Sequence, residues 1–182
     1  MVKIVNVVGS GSLNAEFDLE SVAADIDSIA EYDPNKYPGM YLRFEGDSPL
    51  ITIYRTGKYI VTGADSQGEA YAIRERLLNF LADNGMIAEP ADEWFRIQNL
   101  VCTAELGESL NLSALAIGLG LENTEYEPEQ FPGLIHRPSG ADSVALLFAS
   151  GRVVITGSPD LDVAEQTFSA LQDEVTDLLT VD

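Results

Sequence analysis

Two periods run through this chain. Along 58–62 polar and apolar positions alternate, with Lys58, Ile60 and Thr62 on one side and Tyr59 and Val61 on the other, which predicts a strand with two unlike faces. Further on, Ala70, Ile73, Leu77, Leu78 and Leu81 fall at helical spacing, and Val163, Phe168, Leu171, Val175 and Leu178 repeat that stripe near the end of the chain. Ser66-Gln67-Gly68-Glu69 reads as a capping box for the first of these helices, and Ser158-Pro159 as a cap before proline for the second. Shorter helices are predicted to open at Asp18 and Asn111. Strands are predicted near 2–9, 39–45, 49–56 and 58–63, and again near 94–103, 133–137, 143–149 and 151–157. Four helices for so many strands imply an α+β fold with helices on one sheet face, leaving the other to meet water or a partner.

The pattern is written twice. Tyr32-Asp33-Pro34-Asn35-Lys36-Tyr37-Pro38-Gly39 matches Tyr126-Glu127-Pro128-Glu129-Gln130-Phe131-Pro132-Gly133, 94 residues later, and Gly57–Gly63 matches Gly151–Gly157 at the same offset. Over Tyr32–Gly63, 9 of 32 positions are identical. Val5-Asn6-Val7-Val8 meets Gln98-Asn99-Leu100-Val101 at an offset of 93. Two repeats follow, residues 1–91 and 92–182, joined at the turn-like Ala88-Glu89-Pro90-Ala91-Asp92.

Composition removes several kinds of chemistry. One cysteine, Cys102, forms no internal disulfide, and with a single histidine, His136, no Cys/His metal site is expected. Neither residue is predicted to do chemistry: Cys102 reads as a small strand residue and His136 as a packed or partner-facing one. Apolar runs fall short of the about 18 residues of a membrane span, and no basic segment precedes one at the start, so a cytoplasmic, nucleoid-associated protein is expected. The 182 residues carry 30 acids and 10 cations, a net charge of −20. The acids are spread throughout, 14 against 7 cations in residues 1–91 and 16 against 3 in 92–182. With only three lysines, this coat points to a chain kept soluble in concentrated salt. Gly9-Ser10-Gly11 reads as a turn after a strand and lacks the third glycine of a dinucleotide fingerprint. No catalytic constellation is found, and neither an enzyme nor a cofactor is predicted.

The few cations recur at matched places. Arg43, Lys58, Arg137 and Arg152 share the face that carries Ile60, Thr62, Val154 and Thr156, together with Tyr37, Gly39, Tyr41, Thr52 and Tyr54 and, in the second repeat, Phe131, Gly133, Ile135, Leu146 and Phe148. A broad face mixing aromatics, aliphatics, asparagine and cations asks for a ligand. Its duplication suits double-stranded DNA, whose minor groove offers acceptors to Asn6, Asn99, Thr62 and Thr156.

The duplicated Asn-hydrophobic-Val strand, the Tyr-x-Pro-x-x-aromatic-Pro-Gly segment, the aromatic-x-(Ser/Thr)-Gly-(Lys/Arg) turn and the hydrophobic-Thr-Gly strand end together resemble the TATA-box-binding protein family in its archaeal, halophilic form. The resemblance implies one curved antiparallel sheet, a saddle, with four helices on its convex face and a concave face that binds and bends the minor groove of A·T-rich promoter DNA. It places Asn6, Val8, Ile60, Thr62, Asn99, Val101, Val154 and Thr156 at the groove, with Leu146 beside them. Tyr37, Tyr54, Phe131 and Phe148 become wedges, flanked by Pro38 and Pro132, and Arg43, Lys58, Arg137 and Arg152 hold phosphates. Tyrosines stand in the first repeat where the family carries phenylalanines, and Thr52 stands opposite Leu146. Transcription factor B is the implied partner at Pro138–Ser143, whose counterpart is Gly46–Pro49, and RNA polymerase is reached indirectly. A second copy of the chain is a further occupant of the face when DNA is absent; no membrane partner is implied. The competing reading is a protein-interaction adaptor on the same fold.

With a net charge of −20 and four candidate phosphate contacts, the usual steep loss of DNA affinity with salt is predicted to be blunted or inverted, because cations must enter between the acidic rim and the phosphates. Affinity for an A·T-rich duplex across a KCl series checks this; a slope as negative as a basic protein's overturns it.

Overall fold

A computed structural model describes residues 1–180 and divides the chain into two compact units, Asn6–Gln98 and Met1–Val5 with the residues from Asn99 onward. The first unit runs β1 (Lys3–Ser12, its first residues counted with the other unit), α1 (Leu19–Asp25), β2 (Ala30–Glu31), β3 (Met40–Leu42), β4 (Leu50–Ile53), β5 (Lys58–Ala64) and α2 (Gln67–Asp83). The second repeats the order with β6 (Arg96–Glu105, its first residues counted with the first unit), α3 (Leu112–Gly118), β7 (Thr124–Glu125), β8 (Leu134–His136), β9 (Val144–Leu147), β10 (Arg152–Ser158) and α4 (Leu161–Thr180). The strands pair antiparallel in the order β2-β3-β4-β5-β1 in one unit and β6-β10-β9-β8-β7 in the other. This is the α+β fold and the tandem repeat that the alternation predicted.

Strand parity decides where the cores lie. Tyr59 and Val61 of β5 turn inward with Ile51 and Ile53 of β4 and meet Ile73, Leu77, Leu78 and Leu81 of α2 in one hydrophobic cluster. In the other unit Val153 and Ile155 face inward with Ala145 and Leu147, and α4, which lies on β10, buries Ala164, Phe168, Leu171 and Val175. Here the predicted stripe needs correction: Val163 is half-buried and Leu178 exposed, while Ala164 and Thr167 are buried. Leu178 lies instead over α3, where a β-carbon on Gly118 would come within 2.7 Å of it.

The caps follow the sequence with two exceptions. Asp18 and Asn111 accept from the backbone N–H groups of Ser21 and Ala114, and Ser66 accepts from Glu69. The Glu69 carboxylate, however, reaches past the cap residue to the Asp65 N–H at 2.8 Å. At α4 the cap is Asp160, not Ser158: its carbonyl accepts from Ala164 and its carboxylate from the Asp162 N–H. Ser158 remains in β10.

Gly9-Ser10-Gly11 forms no turn but continues β1 to Ser12. The glycines make room, since a β-carbon on Gly11 would lie 2.0 Å from Asp92 Oδ2. Asp92, read from sequence as part of the joint, is 6% exposed and accepts from Tyr59 Oη at 2.6 Å, from the Ser12 N–H and from the Trp94 N–H. Arg74 donates to its carbonyl and lies over the Phe95 ring. Burial and the Asp92 carboxylate together push the Tyr59 phenol well above the ordinary tyrosine range. Tyr59→Phe leaves that carboxylate one donor short and is expected to lower unfolding free energy by about 1–3 kcal/mol. Chemical denaturation in molar KCl is the measurement.

Candidate nucleic-acid interface

Residues of the opposite parity form a face that no helix of their own unit covers. Cross-strand register aligns Tyr41, Thr52, Ile60 and Ser10 in the first unit and Ile135, Leu146, Val154 and Thr103 in the second. Ile60, Thr62, Val8, Val101, Leu146, Val154 and Thr156 are all half-exposed, as the alternation predicts. Thr52 departs from it: although it faces this side it is 6% exposed, because Tyr37 and Tyr54 close over it beside Gly39. Tyr41 takes the place on this face that alternation gives it, and cross-strand register, which one sequence does not print, adds Ser10 and Thr103.

The asparagines are set by a shared irregularity. In each unit the ladder slips by one residue, so that Thr62-Gly63 lies opposite Val8 and Thr156-Gly157 opposite Val101. Glycine supports the bulge, with φ of 91° at Gly63 and 101° at Gly157. The slip frees one backbone N–H, and the neighbouring side chain takes it: Asn6 Oδ1 accepts from Gly63 at 2.7 Å and Asn99 Oδ1 from Gly157 at 2.8 Å. With the carbonyl end committed, each carboxamide, at a half-exposed strand position, keeps its NH₂ group as the donor end. Asn99 Nδ2 gives one hydrogen to Thr156 Oγ1 at 2.9 Å and retains the other.

The aromatic pairs are placed by two local devices. Tyr37 and Phe131 close a single helical turn onto the carbonyls of Asp33 and Glu127, and Pro38 and Pro132 end it there. Tyr54 and Phe148 open the hairpins whose tips are Gly57 and Gly151, at φ of 85° and 89°. A β-carbon at either glycine would come within 2.2 Å of a backbone carbonyl, Ala15 in one unit and Glu108 in the other, so only glycine fits there. The N–H groups of Leu13 and Phe17, like those of Leu106 and Leu110, donate to hairpin carbonyls and tie the hairpins to the loops that follow β1 and β6. Tyr37 and Phe131 are exposed, and Tyr54 and Phe148 half-buried beside them. Phe131 and Phe148 meet edge to face at 5.9 Å. Tyr37 stacks on Tyr41 at 5.3 Å and shares a 2.5 Å hydrogen bond with the Tyr54 hydroxyl. That bond, followed by burial, pushes the Tyr54 phenol up to about 12.

Arg43, Lys58, Arg137 and Arg152 are all exposed. Among the described residues only Arg137 of these makes an ion pair, with Glu125 at 3.7 Å, and so exposed a pair holds it weakly. Other cations are tied down, notably Arg76, bidentate to Glu45 at 2.7 and 2.8 Å. His136 lies in the core, its Nδ1 without a partner, and burial pulls its pKa below the ordinary value. Cys102 is buried as well. No helix among the described residues is long and apolar enough to cross a membrane.

A family model described as transcription factor TFIID, or TATA-binding protein, matches residues 1–84 and again residues 94–178. TATA-box-binding protein C of Halobacterium salinarum is 49% identical over 179 residues, covering 98% of this chain and 99% of its own. The TATA-box-binding protein of Haloarcula marismortui is 42% identical over 181 residues, covering 100% and 96%. Both relatives come from halophilic archaea. A solved structure described as Methanococcus jannaschii TBP matches with a TM-score of 0.83 at 40% identity, covering 97% of this chain and 98% of that one.

The tyrosine pair makes a prediction about pH. Because the folded pKa of Tyr54 is raised, the stability carried by its bond to Tyr37 is fully present below the ordinary value of 10.0 and is lost as pH rises through about 12. Phenolate absorbance should show one late-titrating tyrosine on this face that moves to lower pH in Tyr37→Phe.

Proposed function

The chain belongs to the TATA-binding protein family, and from that premise we propose that its two open faces seat on the minor groove of A·T-rich promoter DNA and bend it, as a general transcription factor and not an enzyme. The observation that carries this is the pair of committed carboxamides. The carbonyl oxygens of Asn6 and Asn99 each accept from a glycine N–H, which leaves their NH₂ groups as donors on the open face, and the minor-groove edge of A·T pairs offers acceptors only. Thr62 and Thr156 lie beside them as further hydroxyl partners, and Val8, Ile60, Val101, Leu146 and Val154 supply apolar contact with sugar edges.

Tyr37, Tyr54, Phe131 and Phe148 then act as wedges that part base steps, the general behaviour of minor-groove binders of which this family is one example. Pro38 and Pro132 hold the approach of the two outer rings. Arg43, Lys58, Arg137 and Arg152 contact phosphates and fix position without reading sequence. On this reading transcription factor B docks at Pro138–Ser143, and RNA polymerase follows through it. In the free chain a second copy covers the same apolar faces.

Fluorescence anisotropy in molar KCl, comparing an A·T-rich duplex with a G·C-rich one of equal length, tests the reading. Preference for the A·T-rich duplex by about tenfold or more is expected; equal binding overturns it in favour of a protein-interaction adaptor. Phe131→Ala should lower affinity and DNA bending together, the latter read by energy transfer between end-labelled duplex termini. Arg152→Ala should weaken binding evenly across sequences.

A further inference from the structure

The aromatic pairs of the two repeats differ at their tips. Phe131 and Phe148, with centroids 5.9 Å apart, present only hydrocarbon. Tyr37 and Tyr54 sit 6.2 Å apart at the equivalent positions, yet their hydroxyl oxygens meet at 2.5 Å, so the rings converge on a polar edge. Neighbouring residues follow the same division. Tyr41 stacks on Tyr37 at an interplanar angle of 9°, where the second repeat has Ile135, and Thr52 lies beneath the tyrosines where the second repeat has Leu146.

Two phenols that share one hydrogen bond keep one O–H free to donate and oxygen lone pairs free to accept. In the minor groove an A·T pair shows only acceptors, whereas a G·C pair adds the guanine N2 amine, a donor. Pressed against two phenylalanines, that amine loses water and finds nothing to accept its hydrogen, which is costly. Against the tyrosine tips it finds an acceptor. Resting on the minor-groove reading above, we propose that Tyr37 and Tyr54 form a hydroxyl pair that accommodates guanine at the base step they enter, so that the first repeat tolerates a G·C pair where the second rejects one.

The experiment measures affinity for three duplexes of one length: all A·T across the element, one G·C pair at one end, and one at each end. The wild-type chain should bind the singly substituted duplex within about twofold of the all-A·T duplex, by orienting its first repeat over the guanine. It should lose about tenfold on the doubly substituted duplex, where one guanine must meet the phenylalanines. Tyr37→Phe with Tyr54→Phe should lose about tenfold already on the single substitution relative to its own all-A·T affinity, with circular dichroism and chemical denaturation in molar KCl serving as the folding control. The converse change, Phe131→Tyr with Phe148→Tyr, should recover binding to the doubly substituted duplex. Equal losses on the singly substituted duplex for wild type and the double phenylalanine variant would overturn the proposal. A wild-type chain that prefers none of the three over a wholly G·C duplex would instead overturn the minor-groove reading on which it rests.

Discussion

An antiparallel strand can turn only alternate side chains toward a helix, and that constraint governs both units. The parity that sends Tyr59, Val61, Val153 and Ile155 into their cores leaves Ile60, Thr62, Val154 and Thr156 on the uncovered side. Among the described residues no helix of the same unit covers that side, so the ladder itself, and chiefly its register, fixes which strand residues lie next to one another. The one-residue slip opposite Val8 and Val101 therefore has a large effect, because it frees a glycine N–H and sets the direction of an asparagine.

Much of this was legible in the sequence because it was written twice. A lone Asn6 or Thr-Gly dipeptide says little, but their recurrence beside the same hydrophobic alternation marked the strands, the open parity and the matched cations. What stayed hidden depended on contacts between distant residues. Alternation puts Tyr41 on the open face, but its stacking on Tyr37 is a contact that periodicity does not reveal. Proline at 159 suggested a cap at Ser158, but β10 runs on through that residue and the helix waits for Asp160. The linker composition around Asp92 signalled a turn and gave no hint that the carboxylate would be drawn into the first core by Tyr59.

Duplication has not kept the copies alike. Tyr59 and its partner Asp92 have no equivalent in the second unit, where Val153 occupies the matching place and is buried without a polar group to satisfy. Arg74 and Arg76 serve Asp92 and Glu45 on the helix side of the first unit. In so acidic a chain the contrast is informative: Arg76 is drawn to a helix-side carboxylate, while among the described residues Arg43, Lys58 and Arg152 make no ion pair on the sheet face.

The backbone hydrogen bonds from Leu13 and Phe17, and from Leu106 and Leu110, that tie each hairpin to the neighbouring loop bear on how the aromatic rings respond to load. A ring mounted on a free loop would swing aside when pressed; one mounted on a hairpin tied to its neighbour transmits the force into the strands of its own unit. On the minor-groove reading proposed above, the more compliant body in the encounter is the partner, and the work of deformation falls on it.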